Sequence, residues 1–306
     1  MKIKRLIKTY IIMMSINKIK DIDNYNESNI YLSTMVFNDD ISKAIEFSEK
    51  FDFRLEFSSG VKYEKGLVGK LFESNLKGKL IHNYFPAPRK PFVLNLSSEN
   101  KSIRNKSLDH CKKNIEYSRK LNSNYFSFHS GFCFEPNHMN LGGKLGLSKG
   151  NSREKSLEIF LESITDLMNH ARLYDVNLCI ENNVLTKENF FEDYIPLLCC
   201  TADEMIYVLE QINDKYLSIL FDSGHMKVTA NTLEIDLCEE FIKIKDYVSI
   251  IHHSENNALK DTNSPLKDDY WLLKFLNIFK KTKNVIEVKN LSLQDIYKQI
   301  KILKSE

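Results

Sequence analysis

Residues Leu217 to His225 read LSILFDSGH. An apolar run ends on Asp222, Ser223 and Gly224 follow, and His225 comes next. A strand that is apolar on both faces belongs in a parallel sheet covered on both sides. A carboxylate and an imidazole at its C-terminal end are the groups that a divalent metal or a proton-transfer site needs. One such run decides little; its recurrence along the chain decides the fold.

The recurrence is there. Strand-like runs fall at Asn29 to Phe37, Phe53 to Phe57, Lys79 to His82, Tyr125 to His129, Val176 to Glu181, Leu217 to Asp222, Tyr247 to His252 and Asn284 to Val288. Helical segments alternate with them. Ile41 to Phe51 is capped by Asp39 or Asp40, and a short helix lies around Gly66 to Asn75. Asn105 to Leu121 follows with an imperfect helical period. Ser152 to Tyr174 carries Leu157, Phe160, Leu161, Ile164, Leu167, Met168 and Ala171 on one stripe. Thr201 with Glu204 has the spacing of a capping box and opens a helix to Asn213. Leu233 to Ile244, Tyr270 to Phe279 and Leu291 to Leu303 complete the series. Such alternation predicts βαβ units, and this many of them predict an α/β fold of the (β/α)8 TIM barrel type. The barrel is expected over 29–306 as a single domain, with 1–28 as a short N-terminal extension. No GxGxxG fingerprint follows the first strand, which disfavours a dinucleotide-binding open sheet.

A chain of 306 residues suits one such barrel. The 43 basic and 41 acidic residues leave a net charge of +2, which does not suggest a polyanion-binding protein. Cys111, Cys133, Cys179, Cys199, Cys200 and Cys238 form no CxxC pair or disulfide framework, so a reducing, cytoplasmic setting is expected. Met1 to Lys20 is basic, and its apolar piece, Tyr10 to Ile16, is too short to span a bilayer. No signal peptide and no membrane partner are expected. Asn83 to Ser98, with three aromatics and three prolines, reads as a lid or binding loop. In Phe132 to Gly150 a lone glycine cluster (Gly142, Gly143, Gly146, Gly150) is a weak phosphate-binding signal beside simple loop flexibility.

The strand ends carry the chemistry. They are His82, His129, Glu181, Asp222, His252 and Glu287, each closing an apolar run. In a barrel these positions share the C-terminal rim, where active sites of this fold lie. One polar residue at a strand end is usually a cap or a salt-bridge partner. Six on consecutive strands resist that explanation. Carboxylates buried together cost much unless a cation compensates them. A donor set of nitrogen and oxygen without thiolate suits zinc, manganese, cobalt or nickel better than calcium. His225 joins them, with His253, which adjoins His252, as a further candidate, whereas His110, His138 and His170 read as surface residues.

IEN at Ile180 to Asn182, FDSGH at Phe221 to His225, IHHSENN at Ile251 to Asn257 with Asp261 after it, and IEV at Ile286 to Val288 resemble the motifs of the xylose-isomerase-like barrel superfamily. That superfamily includes sugar and sugar-phosphate isomerases and epimerases, and endonuclease IV. The resemblance covers about Asn29 to Leu303 and is specific for the superfamily, not for the substrate. Its ketose 3-epimerase branch implies one divalent ion (Mn, Co or Zn) held by Glu181, Asp222, His252 and Glu287. Glu181 and Glu287 would be the catalytic pair, moving a proton through a metal-stabilised enediolate. His82, His129, His225 and Asp261 would contact the substrate, a small sugar or sugar phosphate. The endonuclease IV branch implies instead a zinc-dependent phosphodiesterase on abasic DNA with three zinc ions, using His82, His129 and an Asp-x-His. Here Asp261 is present, but Asn263 stands where that last histidine should be. Nucleic acid is not the expected partner, since the near-neutral charge cannot neutralise many phosphates. Tyr84 and Phe85 could stack on a base or a sugar equally well.

Overall fold

A computed structural model describes residues 29–137, 140, 143–145, 152–191 and 194–304. The N-terminal extension, His138, Gly142, Gly146 and Gly150 lie outside them. The strands are β1 (Ile30–Ser33), β2 (Arg54–Phe57), β3 (Lys79–His82), β4 (Tyr125–His129), β5 (Asn177–Glu181), β6 (Leu217–Asp222), β7 (Val248–His253) and β8 (Lys283–Ile286). They form a closed barrel in sequence order, with β1 pairing β8. Every pairing is parallel. The expected (β/α)8 barrel is therefore the observed fold.

The two faces of each strand do different things, because successive side chains in a strand point to opposite sides. One set, including Leu55, Ile81, Phe126, Leu178, Ile219, Ile251 and Ile286, joins the large core shared with the helices. The other set, Tyr31, Leu80, Cys179, Leu220, Ile250 and Val285, forms a separate buried cluster inside the barrel. Two residues further along, the same inward face carries His82, Glu181, Asp222, His252 and, just past β8, Glu287. An apolar layer thus lies directly beneath the polar rim. Cys179 is buried in it as a free thiol, and its sulfur meets the Ser218 hydroxyl at 3.2 Å.

Helices between the strands are α1 (Ile41–Phe51), α2 (Leu67–Glu73), α3 (Lys101–Lys120), α4 (Arg153–Tyr174), α5 (Ala202–Ile212), α6 (Ser223–Leu233), α7 (Leu237–Ile244), α8 (Leu276–Phe279) and α9 (Leu293–Lys304). Asp40, rather than Asp39, caps α1 by accepting from the Lys43 N–H at 3.0 Å. Asp39 turns instead to the hydroxyls of Thr34 and Ser58. Thr201 caps α5 by accepting from the Glu204 N–H, but the return half of the capping box is not made. The Glu204 carboxylate binds Arg153 at 2.6 Å, tying the start of α4 to the segment before α5.

Two helical expectations change. Leu233 to Ile244 is not one helix: α6 ends at Leu233, and Asp236 starts α7 by accepting from the Glu239 N–H. Helix α6 carries no amphipathic stripe because it is buried on most sides, including Ser223, Gly224, Met226, Val228, Thr229, Ala230 and Thr232. Tyr270 to Phe279 is a 3-10 turn over Trp271–Phe275 followed by the single-turn α8. No helix among the described residues is long and apolar enough to cross a membrane.

The loop after β4 is clamped tightly. Gly131 accepts from the Leu198 N–H at 3.0 Å, and the neighbouring Phe132 carbonyl accepts from the Ser97 hydroxyl at 2.8 Å. A Cβ at Gly131 would lie 1.8 Å from Ser97 Oγ and 3.0 Å from the Ser97 backbone nitrogen. Gly131→Ala is expected to destabilise the fold by about 1–3 kcal/mol through overpacking. Gly69→Ala in α2, where a Cβ meets nothing within 4 Å, is expected to stabilise by about 0.5–1 kcal/mol. Urea unfolding of the pair checks both signs.

Candidate metal centre and active site

Glu181, Asp222 and His252 sit on β5, β6 and β7, and Glu287 follows β8 with its N–H donating to the His253 carbonyl at 3.1 Å. All are buried: none of them exceeds 7% exposure. Asn182, the last residue of the IEN motif, sets the spacing between β5 and β6. Its side-chain oxygen accepts from the Asp222 N–H at 2.7 Å, and its amide donates to the Asp222 carbonyl at 3.0 Å. Asp222 is also the N-cap of α6. Its Oδ1 accepts from the His225 N–H at 2.7 Å, so only Oδ2 remains for other partners.

That oxygen turns toward His252. The His252 Nδ1 lies 3.1 Å from Glu287 Oε2, 3.7 Å from Asp222 Oδ2 and 3.8 Å from Glu181 Oε1. The opposite ring nitrogen, Nε2, faces both oxygens of Glu56 at 2.9 and 3.0 Å. Glu56 is fully buried and was absent from the expected constellation. A signal for it exists in the sequence: Glu56 is the penultimate residue of FRLEF, on the inward face two residues after Arg54, as Glu181 follows Cys179.

A second group of donors adjoins the first. Glu181 Oε2 lies 3.2 Å from His82 Nε2 and 3.3 Å from His129 Nδ1. His82 Nδ1 is engaged by the Ser127 hydroxyl at 3.0 Å, which leaves Nε2 free to face the centre. His225 directs Nδ1 to the Asn182 carbonyl at 2.9 Å, so its Nε2 faces Asp261 at 3.5 Å. Asn263 lies elsewhere in its role: it takes a left-handed backbone, with φ of 46°, and its carbonyl accepts from the Lys289 N–H. His253 corrects an expectation. It shares the outward face of β7 with Ile251 and bonds to Tyr270 Oη and Asn284 Oδ1, each at 3.0 Å. His110 is not a free surface residue either, since its ring packs against Tyr84 and Phe92. His170 is half-buried beside Glu116.

Electrostatically the pocket is frustrated without a cation. Burial raises the Glu181 carboxyl well above its usual range and pushes Glu287 up to about 7. Burial opposes ionisation of Asp222 too, but the His225 and His252 imidazoles beside it hold its carboxyl low. Those two imidazoles are raised by the surrounding carboxylates against the cost of burial. Burial and the neighbouring imidazoles keep His82 and His129 low, so both offer lone pairs. Glu181 Oε2, Asp222 Oδ2 and His252 Nδ1 are buried with no hydrogen-bond partner. Orphaned buried donor atoms of this kind need an explanation. Asp222, His252 and Glu287 form one group of potential ligands, and Glu181 with Asp222 and His225 forms another that shares an aspartate with it. The donor set fits a divalent ion of the manganese, cobalt or zinc type.

Above the centre lies a cavity of about 600 Å³, with His129, His225 and Asp261 at its base. Tyr84, Phe92 and Leu145 are among its apolar walls, and Asn183, Lys260 and Thr262 among its polar ones. The Asn83 to Ser98 loop thus reaches the cavity through Tyr84 and Phe92, whose backbone N–H donates to the Tyr84 hydroxyl at 2.7 Å. Phe85 does not: it is 1% exposed and stacks on Phe57 in the core, with ring centroids 5.0 Å apart. Gly143 also lines the cavity.

Residues 43–290 match the family described as xylose isomerase-like TIM barrel. An uncharacterised protein of Methanocaldococcus jannaschii is 27% identical over 203 residues, which is 66% of this chain and 67% of that protein. A solved D-tagatose 3-epimerase-like protein superposes with a TM-score of 0.69 at 18% identity, covering 90% of this chain and 96% of its own. D-psicose 3-epimerase of Clostridium cellulolyticum H10, solved with D-tagatose, gives 0.63 at 15% identity over 90% and 97% of the two chains.

A pH dependence follows from the buried acids. The folded-state value of Glu287, about 7, lies above its ordinary 4.5, so folding favours its protonated form. Stability of the metal-free protein therefore falls as pH rises through that window. A cation must displace the proton, so its affinity rises over the same window. Manganese or cobalt is expected to raise the melting temperature little near pH 5 and clearly near pH 8, with chelator reversing the gain. A larger gain at the acid end would contradict this account of the centre.

Proposed function

Because the chain belongs to the xylose isomerase-like TIM barrel family, we propose that it is a divalent-metal-dependent isomerase or epimerase of a sugar or sugar phosphate. The observation that carries this reading is the convergence of buried Glu181, Asp222, His252 and Glu287 beneath an open cavity, with unpartnered ligand atoms among them. The fold likeness to sugar 3-epimerases agrees with it.

In this proposal Glu181, Asp222, His252 and Glu287 hold one ion. When bound, a divalent ion supplies Lewis-acid polarisation of the substrate carbonyl and offsets charge that develops on its oxygen. The chain's residues do the rest. One of the two glutamates takes the proton from the carbon beside the carbonyl, and the other returns a proton to that carbon from the opposite side. His225, held by Asn182 and facing Asp261, is placed to bind a substrate hydroxyl with Nε2. His129, which lines the cavity, would bind a neighbouring oxygen, whereas His82 does not line it and faces Glu181. Tyr84 and Phe92 cover the sugar's apolar face and exclude water.

One observation favours a second reading. The His82, His129 and Glu181 donors could hold a further ion that shares Glu181 with the first, an arrangement that serves phosphodiester cleavage. Metal analysis separates the two. The isomerase reading expects one ion per chain, and the abasic-site phosphodiesterase reading expects two or three with cleavage of abasic DNA.

Incubation with a panel of ketoses and ketose phosphates in deuterated water tests the chemistry. Wild type is expected to wash deuterium into the carbon next to the carbonyl. Glu287→Gln is expected to keep its circular dichroism spectrum and lose exchange by roughly 10²- to 10⁴-fold. Exchange at the wild-type rate in that variant would sink the assignment.

A further inference from the structure

We infer that Glu56 is a positioning residue: it fixes the tautomer of His252 and the direction of its free ring nitrogen. A carboxylate is an acceptor only, and a neutral imidazole has one N–H to donate. Both Glu56 oxygens lie within 3.0 Å of His252 Nε2, so the hydrogen belongs there. The lone pair then sits on Nδ1, the atom that faces Glu287, Asp222 and Glu181 and has no hydrogen-bond partner.

Glu56 is not itself a ligand in this arrangement. Glu56 with His82 and His252 also forms a group of potential ligands, and Glu56 Oε1 has no hydrogen-bond partner, but Glu181, Asp222 and Glu287 all converge on the opposite ring nitrogen, Nδ1, and the inference places the ion there. Glu56 and His252 are both 0% exposed, so bulk solvent does not reach the contact. The backbone holds both ends: Glu56 is registered against Ser33 and Leu80, and His252 against Asp222 and Val285. The strand that supplies Glu56 contributes no other member of the centre, so β2 acts on it only through the imidazole. A carboxylate behind a metal-binding histidine also raises that ligand's basicity, and removing such a partner typically weakens metal binding roughly 10- to 100-fold.

The inference rests on the metal-centre reading, and the test separates the two. Cobalt(II) is titrated calorimetrically into metal-free wild type, Glu56→Gln and Glu56→Ala, and the visible spectrum of each loaded protein is recorded. The expected result is a dissociation constant raised roughly 10- to 100-fold in Glu56→Ala. Glu56→Gln should lose less, because its amide oxygen still accepts from Nε2, and the ligand-field bands should shift in Glu56→Ala. A purely structural role would lower the melting temperature while leaving affinity and spectrum at wild-type values, and that outcome overturns the inference. No uptake of cobalt by wild type would overturn the centre itself. Should the variants fail to fold, nitrogen NMR of histidine-labelled, zinc-loaded wild type decides: a hydrogen on Nε2 of His252 supports the inference, and a hydrogen on Nδ1 overturns it.

Discussion

The carboxylates of Glu56, Glu181, Asp222 and Glu287 are buried together at one pole of the barrel. Like charges in a medium of low effective dielectric repel strongly, and each also loses its hydration. The surrounding imidazoles answer part of this problem. His225 and His252 are drawn toward the charged state and Glu181 toward the neutral one. On the proposed reading, a bound cation answers the rest and releases the protons. The closed sheet makes the concentration of charge possible, since Glu56, Glu181 and Asp222 come from separate strands, Glu287 follows β8, and no strand must carry two.

Single residues serve both fold and site. Asp222 caps α6 with one oxygen and presents the other to the centre. Asn182 holds the Asp222 backbone from both sides, and its own carbonyl receives His225. Position in the site is therefore enforced by the hydrogen bonds that start a helix and join two strands. Geometry built this way is rigid, because moving the ligand means breaking secondary structure.

Much of this was legible in the sequence, for a physical reason. A parallel strand buried on both faces leaves an uninterrupted apolar run, and the polar residue that ends it marks the rim. His82, His129, Glu181, Asp222 and His252 were found that way. Glu56 was passed over because Arg54 breaks the apolar character of its short strand. His253 was the opposite case: adjacent to a site residue in sequence, it faces the helices because neighbours in a strand point apart. In the loop after β3, Phe85 is buried against Phe57 while Tyr84 reaches the cavity. Helix α6 was missed because burial on most sides erases the stripe by which a surface helix is recognised.

The apolar layer of Leu80, Cys179, Leu220, Ile250 and Val285 closes the barrel two residues below the carboxylates. On the proposed reading, ion and sugar then share one approach among the described residues, the cavity above His129 and His225. The deeper guest enters first and leaves last. On that reading a bound sugar would sit as a stopper over the ion, so high sugar concentration would also slow metal loss.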